Sequence, residues 1–199
     1  MTRIVVTEFL TLDGVMQAPG ASDEDQEGGF SHGGWQFDRE YFDDAFSEFI
    51  AGSYAQSGGL LLGRRTYDIF AKYWPNQGPD NDFAATMNGL PKYVVSTTLH
   101  EPLAWQNSHV IGGDVPEELR RLKAGDGDDL HVIGSADLVQ TLVRHDLVDA
   151  YELMVHPVVI GTGKRLFQEE QPQPVPLKLV DSKATTTGVV LLTYEPDRG

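Results

Sequence analysis

Residues 60–70 read LLLGRRTYDIF, three leucines and a glycine that run at once into two arginines, a threonine and a fresh apolar-aromatic pattern. The leucines suit a short buried strand over 59–63, and the spacing beyond Gly63 predicts a short helix over 64–71. Gly63 lets the backbone turn closely, which puts Arg64, Arg65 and Thr66 on the first turn of that helix. Free N–H groups there, together with the helix dipole, attract an anion. Two guanidiniums beside them oppose the dipole unless something negative occupies the site. The alternative is a pair of surface arginines bridging to nearby carboxylates.

Outward from this junction, strand-like and helix-like stretches alternate. RIVVTEFL (3–10) is β-branched and aromatic, as a mostly buried first strand requires. The glycine-rich, acidic run that follows, to about Trp35, predicts a long loop, and long loops in compact domains are usually lids or mobile functional segments. From Asp38 to about Tyr54, apolar residues recur at helical spacing. DNDFAATMNGL suggests a short helix ending near Gly89, KYVVSTTL a strand up to Ser96, and SHVIG another short strand. GDVPEELRRLKAG is the clearest helix: Asp114 can cap it, Pro116 and two glutamates suit its first turn, basic residues follow, and Gly125 stops it. LHVIG, SADLVQTLVRHDL and DAYELMVHPVVI read as strand, helix and strand. The C-terminal stretch reads as two strands joined around Gly188, an antiparallel hairpin. This alternation indicates an α/β protein with a mainly parallel sheet, and no linker divides residues 1–199, so one domain is expected.

The 199 residues suffice for one sizeable core. The absence of cysteine excludes disulfides, thiol catalysis and Cys-ligated zinc. No stretch approaches the roughly 18–20 consecutive apolar residues of a membrane span. The N-terminal segment has no small-residue cleavage site and carries Glu8 and Asp13, so a cytoplasmic protein is the simplest expectation. Thirty acidic against fifteen basic residues give a formal charge of −15. That field repels nucleic acid, and neither a nucleic-acid nor a membrane partner is expected.

Two further strand ends offer anion-friendly residues. In LHVIGSADLVQTL, Gly134, Ser135 and Ala136 would let a pyrophosphate approach a helix start. In YVVSTT, Ser96 and Thr97 end a strand with two hydroxyls. Each is weak alone, but ligands of parallel sheets bind at the carboxyl ends of the strands, and three such ends argue together. GTGKR (161–165) lacks the spacing and the Ser/Thr of a P-loop. The histidines lack metal-ligand spacing, SDEDQE lacks the pattern of a calcium loop, and no nucleophile elbow is present.

In this order the stretches resemble the dihydrofolate reductase fold, and more closely its branch containing the C-terminal reductase domain of bifunctional riboflavin-biosynthesis (RibD) proteins. FLTLDGVMQAPG, LLLGRRTYDIF, KYVVSTTL, the long run from LHVIG to GTGKRLF, and the terminal strands carry the likeness over nearly the whole chain. The resemblance implies a three-layer α/β/α fold with an antiparallel C-terminal hairpin, a homodimer, and NADPH as cofactor. It places Gly63, Arg64, Arg65 and Thr66 around the phosphates, and Ser96 and Thr97 beside the adenosine ribose. Gly134, Ser135, Ala136, Asp137 and Leu138 would wrap the pyrophosphate. The family's usual basic residue after the serine of KYVVS is replaced by Thr97.

The implied reaction is hydride transfer to a small planar heterocycle. It is of the 5-amino-6-(5-phosphoribosylamino)uracil reductase type or, less closely, the dihydrofolate reductase type. Asp13, in an LDG element like the family's SLDG, is the first candidate for a substrate-polarising carboxylate, and Asp43 the second. Trp35, Phe42 and Phe46 could wall a planar ring or simply form core, and His156 could line the pocket or cap a strand. A phosphorylated substrate needs a second cationic pocket, for which Lys164 and Arg165 are the available contributors. The rival class is a non-catalytic NADP(H)-binding or sensing module.

Overall fold

In the computed structural model, which describes residues 1–78, 80–168 and 174–199, Leu60, Leu61 and Leu62 are fully buried in strand β2 (Ser57–Gly63). Strand β2 begins two residues earlier than its apolar run suggests. A side chain at Gly58 would come within 2.7 Å of the Asp128 carbonyl, and one at Gly59 within 2.8 Å of the Pro91 carbonyl. Glycine here is what lets two neighbouring segments close on the strand. The other strands are β1 (Ile4–Thr11), β3 (Lys92–Val95), β4 (Ser108–Ile111), β5 (Asp129–Val132), β6 (Ala150–His156), β7 (Leu177–Ala184) and β8 (Val190–Pro196). Among the described residues they form one sheet in the order β4-β3-β2-β5-β1-β6-β8-β7. The β4–β3, β3–β2 and β2–β5 pairs are parallel, while β8 runs antiparallel to both β6 and β7. This is the mostly parallel sheet with an antiparallel C-terminal hairpin that the sequence predicts.

The helices are α1 (Asp44–Ala55), α2 (Arg64–Tyr73), α3 (Asp82–Gly89), α4 (Val115–Ala124) and α5 (Ala136–Arg144). Side-chain caps define three of their starts. Asp43 accepts from the Phe46 amide, Asn81 from Ala84 and Asp114 from Glu117. Helix α1 therefore starts six residues later than the apolar periodicity from Asp38 predicts, because Asp43 caps it and leaves Tyr41 and Phe42 outside. Neither α2, after Gly63, nor α5, after Ser135, has a side-chain cap.

The chain divides into two compact units. Unit 1 comprises Met1–Val5 and Tyr54–Leu147, and holds β2 to β5 and α2 to α5. Unit 2 comprises Val6–Ser53 and Val148–Gly199, and holds α1, β6 to β8 and most of β1. In unit 2, Phe46 of α1 packs with Met154, Val189 and Leu191 on one face of the β6–β8 pair. The segment after β1 carries a core of its own, in which Val15, Ala18, Phe30 and Trp35 are buried together. It is thus a packed irregular layer rather than the open loop its composition suggests. Among the described residues, no helix is long and apolar enough to cross a membrane.

Candidate functional site

Parallel register aligns the ends of three strands in unit 1. Gly63 pairs with Val95, and Leu61 with Val132, so the residues following β2, β3 and β5 emerge at one edge. There the β2–α2 and β5–α5 turns interlock. The Gly63 amide donates to Ser135 Oγ at 2.9 Å, and the Ser135 amide donates to Thr66 Oγ1 at 2.9 Å. Ser135 adopts a left-handed conformation (φ 58°), as does Gly134 (φ 60°). A Cβ on Gly134 would fall 2.9 Å from Thr66 Oγ1, so glycine is needed for the close approach as well as the turn. The result is two adjacent helix N-termini with no side-chain cap, held by a shared hydrogen-bond lattice. First-turn amides and the dipoles of the two helices favour an anion there.

Arg64 and Arg65 are exposed on the first turn of α2. The Arg64 guanidinium donates to Thr98 Oγ1 and lies 3.5 Å from Asp68, one turn further along. Ser96 is buried, and its hydroxyl accepts from the Thr98 and Leu99 amides, shaping the turn after β3, while Thr97 is exposed. Ala136 starts α5, Asp137 is an exposed carboxylate in its first turn, and Leu138 is buried against the Gly63 turn. Sequence reasoning missed Thr98, whose amide, two residues beyond Ser96, closes a serine turn and whose hydroxyl accepts from Arg64. It also missed Gly112 and Gly113, which follow β4, Gly112 lying against the Ser96 carbonyl.

In unit 2, Asp13 anchors the end of β1. Its Oδ1 accepts from the Thr11 hydroxyl at 2.7 Å and the Ile160 amide at 3.2 Å. Its Oδ2 accepts from the Gly161 amide at 2.8 Å, with Arg165 3.5 Å away. Burial pushes this carboxyl up, but the Thr11, Gly161 and Ile160 hydrogen bonds outweigh it and hold the pKa low. Asp13 is therefore an ionised anchor, unsuited to giving up a proton. Asp43 is likewise engaged: besides capping α1 it accepts from the Thr186 amide and hydroxyl at 2.8 and 2.7 Å, clamping the β7–β8 turn. The Phe46 amide and the Thr186 hydroxyl hold its pKa low.

Trp35 and Phe46 are buried, and with Phe9 and Tyr41 their rings surround the fully buried His156 at centroid distances of 5.1–6.2 Å. They are core. Phe42 instead stacks on Phe37 at 5.3 Å, with the two rings 44% and 61% exposed. Lys164 and Arg165 are both paired with carboxylates. The Lys164 ammonium bridges Asp25 and Glu27, while its amide donates to Gln17, whose side chain in turn holds the Asp25 and Glu27 carbonyls. Glu24 closes this acidic strap by accepting from the Gly20 and Ala21 amides, and burial pushes its carboxyl up.

A mostly parallel α/β sheet with interlocked glycine turns at its carboxyl edge and an antiparallel C-terminal pair is the architecture of the dihydrofolate reductase-like class. The chain matches the RibD C-terminal domain over residues 2–191 and belongs to that family. It is similar to the uncharacterized protein YyaP of Bacillus subtilis (strain 168), with 33% identity over 155 residues, spanning 76% of this chain and 79% of that one. Among solved structures it superposes on a protein named for riboflavin biosynthesis from Shewanella sp. PV-4. That match has a TM-score of 0.73 and 20% identity, and covers 99% and 100% of the two chains. It also superposes on the diaminohydroxyphosphoribosylaminopyrimidine deaminase/5-amino-6-(5-phosphoribosylamino)uracil reductase of Thermotoga maritima. Here the TM-score is 0.64 at 16% identity, over 98% of this chain and 57% of that one.

Proposed function

We propose that the protein is an NAD(P)H-dependent reductase acting on a small planar heterocycle. Unit 1 would hold the cofactor phosphates. One observation carries the reading: the two uncapped helix N-termini of α2 and α5, locked side by side through Gly63, Thr66 and Ser135, beside the exposed Arg64. The cradle fits a pyrophosphate, since its amides are donors and Gly134 leaves no side chain in the way. When bound there, NADPH would supply the hydride for the carbon of a C=N or C=O bond. The nitrogen or oxygen of that bond takes a proton, which has to come from solvent or a residue other than Asp13. In the protein, Gly63 and Ser135 shape the cradle, Thr66 braces it, and Arg64 adds charge. The family and the likeness to the T. maritima deaminase/reductase support a pyrimidine-type acceptor.

The test is a titration with NADPH and with NADH, followed by nicotinamide fluorescence, in wild type and in Arg64→Ala. A charge-assisted phosphate contact is worth roughly 1.5–3 kcal/mol, so the variant should bind at least about tenfold more weakly. No binding of either cofactor by wild type sinks the proposal.

A second reading, a non-catalytic NADP(H)-binding module, is favoured by the engagement of both Asp13 and Asp43 in structural hydrogen bonds. Turnover separates the two: supplied with a pyrimidine acceptor, a reductase oxidises bound NADPH, and a binding module holds the cofactor without consuming it.

A further inference from the structure

Resting on the reading of the cradle in unit 1 as a phosphate site, we infer that Thr98 is its positioning residue: the Thr98 hydroxyl holds the Arg64 guanidinium at the carboxyl edge of the sheet, oriented but not neutralised. Sheet register brings the two together. Gly63 pairs with Val95, so Arg64 and Ser96, the residues that follow β2 and β3, emerge side by side. Ser96 is buried and fixed. Its amide donates to the Ile111 carbonyl at 3.1 Å, and its hydroxyl accepts from the Thr98 and Leu99 amides at 3.2 and 3.1 Å. The turn closed in this way brings Thr98 Oγ1 to 3.4 Å from Ser96 Oγ, where it accepts from Arg64 Nη1. A buried serine, itself tied to β4, thereby sets where the head group of an exposed arginine lies.

The chemistry of the partner matters. A cation on the first turn of a helix opposes the dipole, and Arg64 has a carboxylate within reach one turn along, Asp68 Oδ2 lying 3.5 Å from Nε. That pair is about half exposed on both sides, a weak hold in water, and it draws the head group along the helix and away from the cradle. A hydroxyl acts differently. It orients the guanidinium through one donor and leaves the positive charge in place, and Nη2 meets no protein partner among the described residues. Charge and donors thus stay available for charge-assisted bonds to a phosphate oxygen. An arginine that rotates freely has to be ordered when its ligand binds, and ordering one such side chain weakens binding by roughly two- to tenfold. With Thr98 in place, much of that ordering precedes the ligand.

The experiment is a double-mutant cycle on the full chain. Wild type, Thr98→Val, Arg64→Ala and the double variant are titrated calorimetrically at low ionic strength with NADPH, with NADH and with inorganic pyrophosphate. Valine keeps the shape of the side chain and the amide that closes the Ser96 turn, and removes only the hydroxyl. Thr98→Val is expected to weaken binding of NADPH and pyrophosphate roughly two- to tenfold, to change nothing further in the Arg64→Ala background, and to be rescued by Thr98→Ser. In the ligand-free protein, the Arg64 Nε–H resonance, assigned by its loss in Arg64→Ala, reports the motion of the head group directly. Its 15N heteronuclear NOE should be high in wild type and Thr98→Ser and fall in Thr98→Val, which a merely structural role would not produce. Equal affinity of wild type and Thr98→Val, the same loss in the Arg64→Ala background, or an Arg64 resonance equally mobile in wild type and Thr98→Val overturns the inference. The reductase reading fails separately. A wild type that binds pyrophosphate but neither nicotinamide cofactor refutes that reading, and the cycle on pyrophosphate still decides the role of Thr98. A wild type that binds none of the three overturns both.

Discussion

At the scale of single residues, two buried titratable groups tie stability to pH. Lys92 has no exposed surface, and its ammonium donates to the Asn88 and Gln106 carbonyls and sits 4.1 Å from the Trp105 ring centroid. Burial pushes its pKa from the usual 10.5 down to about 8. The carbonyls and the ring favour the ammonium and limit the shift. Between pH 8 and 10.5 the unfolded chain holds this proton and the folded chain has released it, so stability rises with pH across that window, by at most about 3 kcal/mol. Lys92→Met should flatten the rise in a chemical-denaturation series, and a slope unchanged in the variant refutes the assignment. His156 works in the acid range. Burial pushes its pKa down, the Met154 and Leu10 carbonyls pull it the other way, and no partner meets hydrogen-bond geometry at Nε2. With the folded pKa below the usual 6.5, its contribution is complete above 6.5 and is lost as pH falls below that value. His156→Gln keeps a donor for Met154 but does not titrate. Its melting temperature should therefore fall less steeply than wild type below pH 6.5, and parallel curves would show that other groups carry the acid response.

At the scale of elements, the interlocked turns after β2 and β5 are the part most sensitive to a single methyl group. Gly134→Ala combines a left-handed backbone with a Cβ 2.9 Å from Thr66 Oγ1, whereas Gly113→Ala meets the same backbone strain (φ 71°) with nothing within 4 Å. Backbone strain of this kind costs about 1–3 kcal/mol. Gly113→Ala should show only that loss, while Gly134→Ala should lose more and weaken cofactor binding at least tenfold; equal losses would mean that the Thr66 contact is slack. The elements legible in the sequence are those with local signals. Helix α4 was readable because Asp114, Pro116 and Gly125 mark its ends by their own chemistry. The start of α1 was not, because Tyr41 and Phe42 continue the helical period and only the Asp43 cap, itself clamped to Thr186, breaks it. Similarly, Gly58 falls outside the strand read over 59–63 but belongs inside β2, since what demands a glycine there is the approach of Asp128, far off in sequence.

At the scale of the whole molecule, the sheet order was not legible, because strand alternation alone leaves the placing of β1 between β5 and β6 undetermined. Of the candidate site, the glycine turns were readable as motifs, while the engagement of Asp13, Asp43 and Lys164 was not: their partners at Gly161, Thr186 and Asp25 are 139–148 residues distant, and no local pattern announces them. The formal charge of −15 was plain from composition, but its concentration in unit 2 follows from how the chain divides. That concentration has a consequence for the intact protein. Carboxylates held within one compact unit repel one another, and the repulsion is screened once the Debye length falls to about 10 Å near 0.1 M salt. Ion pairs such as Lys164 with Asp25 and Glu27 respond in the opposite sense, but they are few and partly sheltered from solvent. Net repulsion should therefore win. Raising KCl from about 10 to 200 mM is expected to stabilise the protein by on the order of 1 kcal/mol, an upward shift of roughly 2–4 °C in melting temperature for a chain of this size. The same scan on Asp25→Asn/Glu27→Gln should show a smaller rise, because two of the mutually repelling carboxylates are gone. A wild-type melting temperature that falls with salt would instead mean that the ion pairs of the strap outweigh the repulsion.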